Sequence, residues 1–195
     1  ARASCGASSG SGTSISQVLT SSSVLPEEVI YQVTPSYNGC AGSTLDVPVT
    51  VNPVPVMTAS GQELCSGQTT SIELSSNVSG TAFSWSAQND PNVGGASAGV
   101  GDLISQELTN SHTVRGSVQY SIVAVAGMCT GEAENITVTV HPVPHMASIE
   151  DGVVCSGEAI DIPLISPVAG TAFSWILEQV ENVSGASAGS GTSIG

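Results

Sequence analysis

One hexapeptide occurs twice and fixes the frame of the chain. Gly80-Thr81-Ala82-Phe83-Ser84-Trp85 returns ninety positions later as Gly170-Thr171-Ala172-Phe173-Ser174-Trp175. The two copies hold both tryptophans and both phenylalanines of the protein. Phe83 and Trp85 alternate with small residues, a period of two that predicts a strand with one buried face. One buried tryptophan on a central strand of each unit predicts a β-sandwich core.

The repeat extends well beyond the hexapeptide. Cys65-Ser66-Gly67 matches Cys155-Ser156-Gly157, and Gly95-Ala96-Ser97-Ala98-Gly99 matches Gly185-Ala186-Ser187-Ala188-Gly189, all at an offset of ninety. The start of the chain matches the other half of the unit. Val49-Thr50-Val51-Asn52-Pro53-Val54-Pro55 returns as Val138-Thr139-Val140-His141-Pro142-Val143-Pro144, at an offset of eighty-nine. Cys40 and Tyr31 match Cys129 and Tyr120 at that same offset, and Gly6-Ala7-Ser8-Ser9-Gly10 matches the segment from Gly95. A fixed period of this length is the mark of an array of like domains. Residues 1–56 read as the back of one module, 57–146 as a complete module, and 147–195 as the front of a third. The chain thus begins and ends in one phase of its repeat. It reads as a window on a longer array, or as a subunit whose ends are completed by neighbours. The glycine-rich segment would be doubled at such a joint, which favours the window.

Composition narrows the functional classes. Charged residues make up 9% of the chain, against about 25% in ordinary soluble domains. Arg2 and Arg115 are the only cationic residues besides three histidines, and the net charge is −14. Phosphate contacts need Lys and Arg, so nucleic acid is not an expected partner. An anionic membrane surface is disfavoured on the same ground. No apolar run approaches the ~20 residues of a membrane helix, so membrane insertion is not expected. The abundant Ser, Thr, Gly and Val suit short strands and tight turns.

In the complete module the alternation predicts strands near 55–60, 71–75, 81–87, 104–108, 118–125 and 134–141. Residues 92–102 read as a glycine-rich surface loop or an irregular edge. Strand 29–34, which carries Tyr31, follows a polar turn at Pro26-Glu27-Glu28 in the first fragment. Pro53, Pro55, Pro142 and Pro144 fall where one module passes to the next. Alternating prolines cannot join a central ladder, so 52–55 and 141–144 read as short, stiff linkers merging into an edge strand.

Each module carries one cysteine near its front (Cys65, Cys155) and one near its back (Cys40, Cys129). The simplest pairing is Cys65 with Cys129. Cys40 and Cys155 would then pair outside the chain or in a neighbour. Closing such a loop contributes about 4 kcal/mol in the chain-entropy model. The alternative is a set of buried free thiols. Cys5 has no counterpart, and reads as a free thiol or an inter-chain link.

Other candidate sites weigh less than their bland readings. His141 and His145 flank Pro-Val-Pro, but Asn52 and Val56 hold the matching positions, so the repeat does not preserve a metal pair. Asp90, Asp102, Glu150, Asp151 and Asp161 could take calcium at module junctions. None has calcium-loop spacing, and solvated turns are the simpler reading, so no cofactor is expected. The stretch 94–101 lacks the lysine and the helix of a phosphate loop. No serine has a strand–helix elbow and a repeated histidine, so no catalytic residues are expected and the chain does not read as an enzyme. The sequons at Asn77, Asn135 and Asn182 matter only if the host glycosylates them. Phe83, Trp85, Tyr120, Phe173 and Trp175 read as core anchors rather than as a carbohydrate platform.

Taken in order, Cys-Ser-Gly, Gly-Thr-Ala-Phe-Ser-Trp, Gly-Ala-Ser-x-Gly, the Tyr120 strand, Gly-x-Cys-x-Gly and Val-Thr-Val-x-Pro-x-Pro form a pattern. It resembles the PKD-like, immunoglobulin-like tandem modules of large cell-surface and secreted proteins of Bacteroidetes-type bacteria. The resemblance implies all-β sandwich modules of about ninety residues that act as spacers and adhesive stalks, extracellular or at the cell surface. The sequence therefore reads as a structural repeat of a filament, stalk or surface adhesin, with copies of itself or flanking modules as partners. A carbohydrate-binding or accessory region of a secreted enzyme, with surface glycans as partner, is the alternative. A calcium-stiffened adhesin is a third.

Overall fold

The computed structural model describes residues 10–149 and 151–194. Cys5, Glu150 and residues 6–9 of the first glycine-rich motif lie outside the described residues. Every regular element among the described residues is a strand. The first fragment holds β1 (Glu27–Val33), β2 (Ser36–Tyr37), β3 (Cys40–Ala41) and β4 (Leu45–Val51). Next come β5 (Met57–Thr58), β6 (Gln62–Cys65), β7 (Gln68–Thr69), β8 (Ile72–Glu73), β9 (Ser75–Ser76), β10 (Ala82–Asn89), β11 (Val93–Gly94) and β12 (Gly99–Val100). The same unit continues with β13 (Leu103–Ile104), β14 (Glu107–Asn110), β15 (Gly116–Ala126), β16 (Cys129–Thr130) and β17 (Glu134–His141). The last fragment holds β18 (Ile162–Pro163), β19 (Phe173–Trp175), β20 (Gly189–Gly191) and β21 (Ser193–Ile194).

Residues 57–141 form an immunoglobulin-like sandwich. One layer runs β12-β10-β15-β17-β6, with β16 pairing the end of β15. The other is interrupted, with short ladders β5-β9, β8-β13 and β7-β14-β11. Alternation drives the packing. Val118, Tyr120, Ile122 and Ala124 of β15 point inward and are at most 1% exposed, as are Val138 and Val140 of β17. Across the interior they meet Ile72, Leu74, Val93, Ile104 and Leu108. The glycine-rich stretch is an irregular edge that supplies β11 to one layer and β12 to the other. Strand β6 lies outside the strands that the alternation predicts. It is four residues long, and it pairs β17 in parallel, with Val138 opposite Gln62 and His141 opposite Cys65.

Polar side chains tie the two layers together and brace the interrupted one. Tyr120 Oη donates to Gln106 Oε1 at 2.8 Å, and Gln106 Nε2 donates to the Ser97 carbonyl at 3.0 Å. Trp85 Nε1 donates to that same carbonyl at 3.2 Å. Thr70, 1% exposed, donates to the Ile104 carbonyl and accepts from the Gln106 amide, both at 2.9 Å. The repeats carry these features over. Trp175 Nε1 donates to the Ser187 carbonyl at 3.1 Å, and Tyr31 Oη donates to Gln17 Oε1 at 2.8 Å. Ladder β1–β4 pairs Tyr31 with Val47, the same register in which β15–β17 pairs Tyr120 with Ile136. Among the described residues, every ladder closes within 27–51, 57–141 or 162–194.

The pairing of Cys65 with Cys129 is corrected by this geometry. All four described cysteines, Cys40, Cys65, Cys129 and Cys155, are free. Cys65 lies beside His141, near the Gly116 end of β15, whereas Cys129 is paired to Ala126 at its other end. At about 3.3 Å per residue, that strand separates them by roughly 33 Å. A disulfide tolerates Cα separations of only about 4.4–6.8 Å.

Two outcomes follow for the core. A Cβ at Gly99 would lie 2.5 Å from Cζ2 of Trp85, so Gly99→Ala overpacks the sandwich. Denaturant unfolding should show a loss of about 1–3 kcal/mol. Burial raises the Tyr120 phenol above its ordinary value of 10.0. Above that pH the unfolded chain loses a proton that the folded chain keeps, so the stability from this group is intact below pH ~10 and falls as pH rises further. The fall should be shallower in Tyr120→Phe, measured as urea midpoints between about pH 9 and pH 11.

Candidate functional site

The features that go beyond a folded core lie at the two poles of the sandwich, where the chain enters and leaves. At the leading pole the linker is held along its length. Pro55 is fully buried. The Val56 amide donates to Asn77 Oδ1 at 2.8 Å, and the Asn77 amide donates back to the Val56 carbonyl at 3.3 Å. Gly131 lets the linker approach, since a Cβ there would clash with the Pro55 carbonyl oxygen. The Cys129 thiol donates to the Asn52 carbonyl at 4.0 Å. Prolines fix the φ angles of this segment, and the contacts fix its direction.

The rear pole is a hydrogen-bonded cap. Asn110, only 8% exposed, donates from Nδ2 to the carbonyls of Val114 at 2.8 Å and Val140 at 2.9 Å. Its Oδ1 accepts from the His112 amide at 2.9 Å. The Ser66 amide donates to the His141 carbonyl at 2.8 Å, which carries the β6–β17 pairing to the end of the strand. His141 Nε2 lies 3.4 Å from Glu63 Oε2, with both side chains exposed. Such a pair contributes at most about 1 kcal/mol, and only when the histidine is protonated.

The structure separates the remaining sequence candidates. His145 is exposed beyond the end of β17 and His112 lies in the loop after β14. Among the described residues no three His, Cys, Asp or Glu side chains converge. Asp90 accepts from the Ser117 amide at 2.6 Å and from its hydroxyl at 3.2 Å, so it ties a turn to β15. Asp102, Asp151 and Asp161 are exposed. Phe83, Trp85 and Tyr120 are buried. Phe173 and Trp175 are half-buried, since β19 pairs only β20 and no counterpart of β15 lies beside it among the described residues. Of the tyrosines, Tyr37 alone is well exposed, at 79%, and Tyr31 is half-buried. Two open clefts hold about 270 and 180 Å³, below the ~300–1,000 Å³ of typical ligand pockets. No helix among the described residues is long and apolar enough to cross a membrane.

The all-β sandwich agrees with the family comparison. The sequence matches the PKD-like domain over residues 4–55 and 62–144, well over half of the chain. The chain belongs to the PKD-like domain family. No curated protein matches it. PKD-like domains are a non-catalytic module type, typical of extracellular proteins. Two residues that organise this PKD-like chain carried a repeat signal that could have found them. Gln106 and Gly131 match Gln17 and Gly42 at the offset of eighty-nine. Asn77 carried none, because its counterpart is Pro167. Near that proline, the Ala147 amide donates to the Ile165 carbonyl at 2.8 Å.

Replacing Asn77 by Ala removes the side-chain acceptor of the Val56 amide. Hydrogen exchange should show that amide exchanging at least several-fold faster, with the amides of Tyr120 and Val138 unchanged. The net cost should be about 0.5–1.5 kcal/mol.

Proposed function

We propose that this PKD-like chain is a non-enzymatic structural repeat of an extracellular filament, stalk or surface adhesin. Its modules, 1–56, 57–146 and 147–195, are spacers whose junctions hold direction. One observation carries the reading: the linker into the complete module is buried at Pro55 and hydrogen-bonded through both polar backbone groups of Val56. A tether that only had to connect two domains would gain nothing from this, since flexible polar linkers serve that purpose. Chain entry and exit at opposite poles also suit a unit strung end to end. The partners are then flanking modules or further copies of the chain. The recurring registers at Tyr31 and Tyr120, and the recurring tryptophan anchors, support like modules in series.

Electron microscopy of the native material, with its mass taken under reducing and non-reducing conditions, tests this. Extended fibres or stalks with a regular spacing of modules are the expected result. Compact monomers of this chain's mass, with no fibre, would sink the structural reading and turn the search to ligands.

A further inference from the structure

We infer that consecutive modules of this repeat are cross-linked across their junction by a disulfide. The front cysteine of the leading module (Cys65) joins the back cysteine (the counterpart of Cys129) of the module that follows. The inference rests on the tandem-array reading and adds to it a covalent link at a named pair of positions.

Three observations converge on one carbonyl oxygen. At the leading pole, the Cys129 thiol lies 4.0 Å from the carbonyl oxygen of Asn52, the residue that follows the preceding module's Val-Thr-Val strand. In the repeat, Asn52 corresponds to His141. At the rear pole, the carbonyl oxygen of His141 accepts from the Ser66 amide at 2.8 Å, and His141 is the ladder partner of Cys65. The next module's counterpart of Cys129 therefore falls beside the His141 carbonyl. That oxygen points towards β6, the strand that carries Cys65.

Cys65 and His141, as parallel partners, stand about 4.8 Å apart, so a thiol beside the His141 carbonyl lies within side-chain reach of Cys65. The side chains suit the role. Leu64 is buried, so Cys65 turns to the outer face of an edge strand and is exposed. Cys129 is half-exposed at the open end of the sandwich. The repeat supplies Cys40 and Cys155 with the same two placements. Placed this way, each front cysteine faces forward along the array and each back cysteine faces rearward. Neither Cys65 nor Cys129 then has its partner within its own module.

The chemistry balances with a disulfide-class oxidant. One cysteine thiolate attacks the oxidant's disulfide and forms a mixed disulfide. The second thiolate attacks the protein sulfur of that bond and closes the cross-link. The oxidant leaves as two thiols, having taken two electrons and the two thiol protons. An extracellular setting sustains such a bond.

The test extends the full chain by its own residues 106–146, appended after Gly195. Gly195 aligns with Ser105 at the offset of ninety, so the extension completes the third module in phase and adds one copy of Cys129. The protein is oxidised with oxidised glutathione at high dilution, alkylated, digested without reduction and mapped by mass spectrometry. The expected result is a peptide joining Cys65 to the appended cysteine. Cys40, Cys129 and Cys155 should stay open to alkylation, and so should Cys65 in the unextended chain. In Cys65→Ser the cross-link is lost and the appended cysteine becomes alkylated. Two folded modules with Cys65 and the appended cysteine both alkylated would overturn the cross-link and leave the array reading standing. A Cys65–Cys129 peptide would also overturn it. Slow-exchanging amides confined to 57–141 would remove the array reading and the junction cross-link together.

Discussion

Strand Gly116–Ala126 is the member on which the module depends. It pairs along its length with the tryptophan strand on one side and with Glu134–His141 on the other. Its inward residues from Val118 to Ala124 fill the centre of the core. Because it is paired on both edges, it cannot slip without reversing every side chain on its face. Its span also sets the distance between the poles, and so decides which cysteines can meet. An intramodular disulfide fails on that length alone.

Charge plays little role in holding this fold. Among the described residues one ion pair occurs, between His141 and Glu63, and it is exposed. Side chains that hydrogen-bond to backbone do the work that salt bridges do elsewhere. Thr70 joins two strands of one layer, Asn110 closes the rear pole, and Asn77 grips the linker. Thr70 and Asn110 sit where a backbone carbonyl would otherwise lose its partner on burial. Such bonds are indifferent to ionic strength, unlike exposed charge pairs. A chain carrying fourteen surplus negative charges benefits from this, because self-repulsion then has few attractive pairs to undo.

The sequence showed the fold more clearly than the junctions. Alternation at Phe83 and Trp85, at Val118–Tyr120–Ile122 and at Ile136–Val138–Val140 is a local signal, and the strands form there. The repeat predicts a hand-over from one unit to the next at 52–55 and 141–144. Strand Gln62–Cys65 was hidden because four residues are too few to establish a period, and its pairing is with a segment more than seventy positions away. The cysteine geometry was hidden for a related reason. Spacing along a chain says nothing about which end of a strand a residue occupies. The grip of Asn77 on Val56 depends on a turn brought near by tertiary packing, and that turn's repeat counterpart is a proline.

The parallel pairing of Gln62–Cys65 with Glu134–His141 has a mechanical consequence. The first of these strands follows a few residues after the chain enters at the leading pole and runs towards the rear pole, and the second ends at the rear pole where the chain leaves. Tension on the two chain ends therefore pulls the paired strands along their length in opposite directions. The interstrand bonds lie across that direction, so they bear the load together as shear. In an antiparallel hairpin pulled from its open end, the bonds would instead break in succession, as in a zip. The four residue pairs from Val138–Gln62 to His141–Cys65 thus form a short lap joint, and the linker pulls on it in the direction in which it is hardest to open.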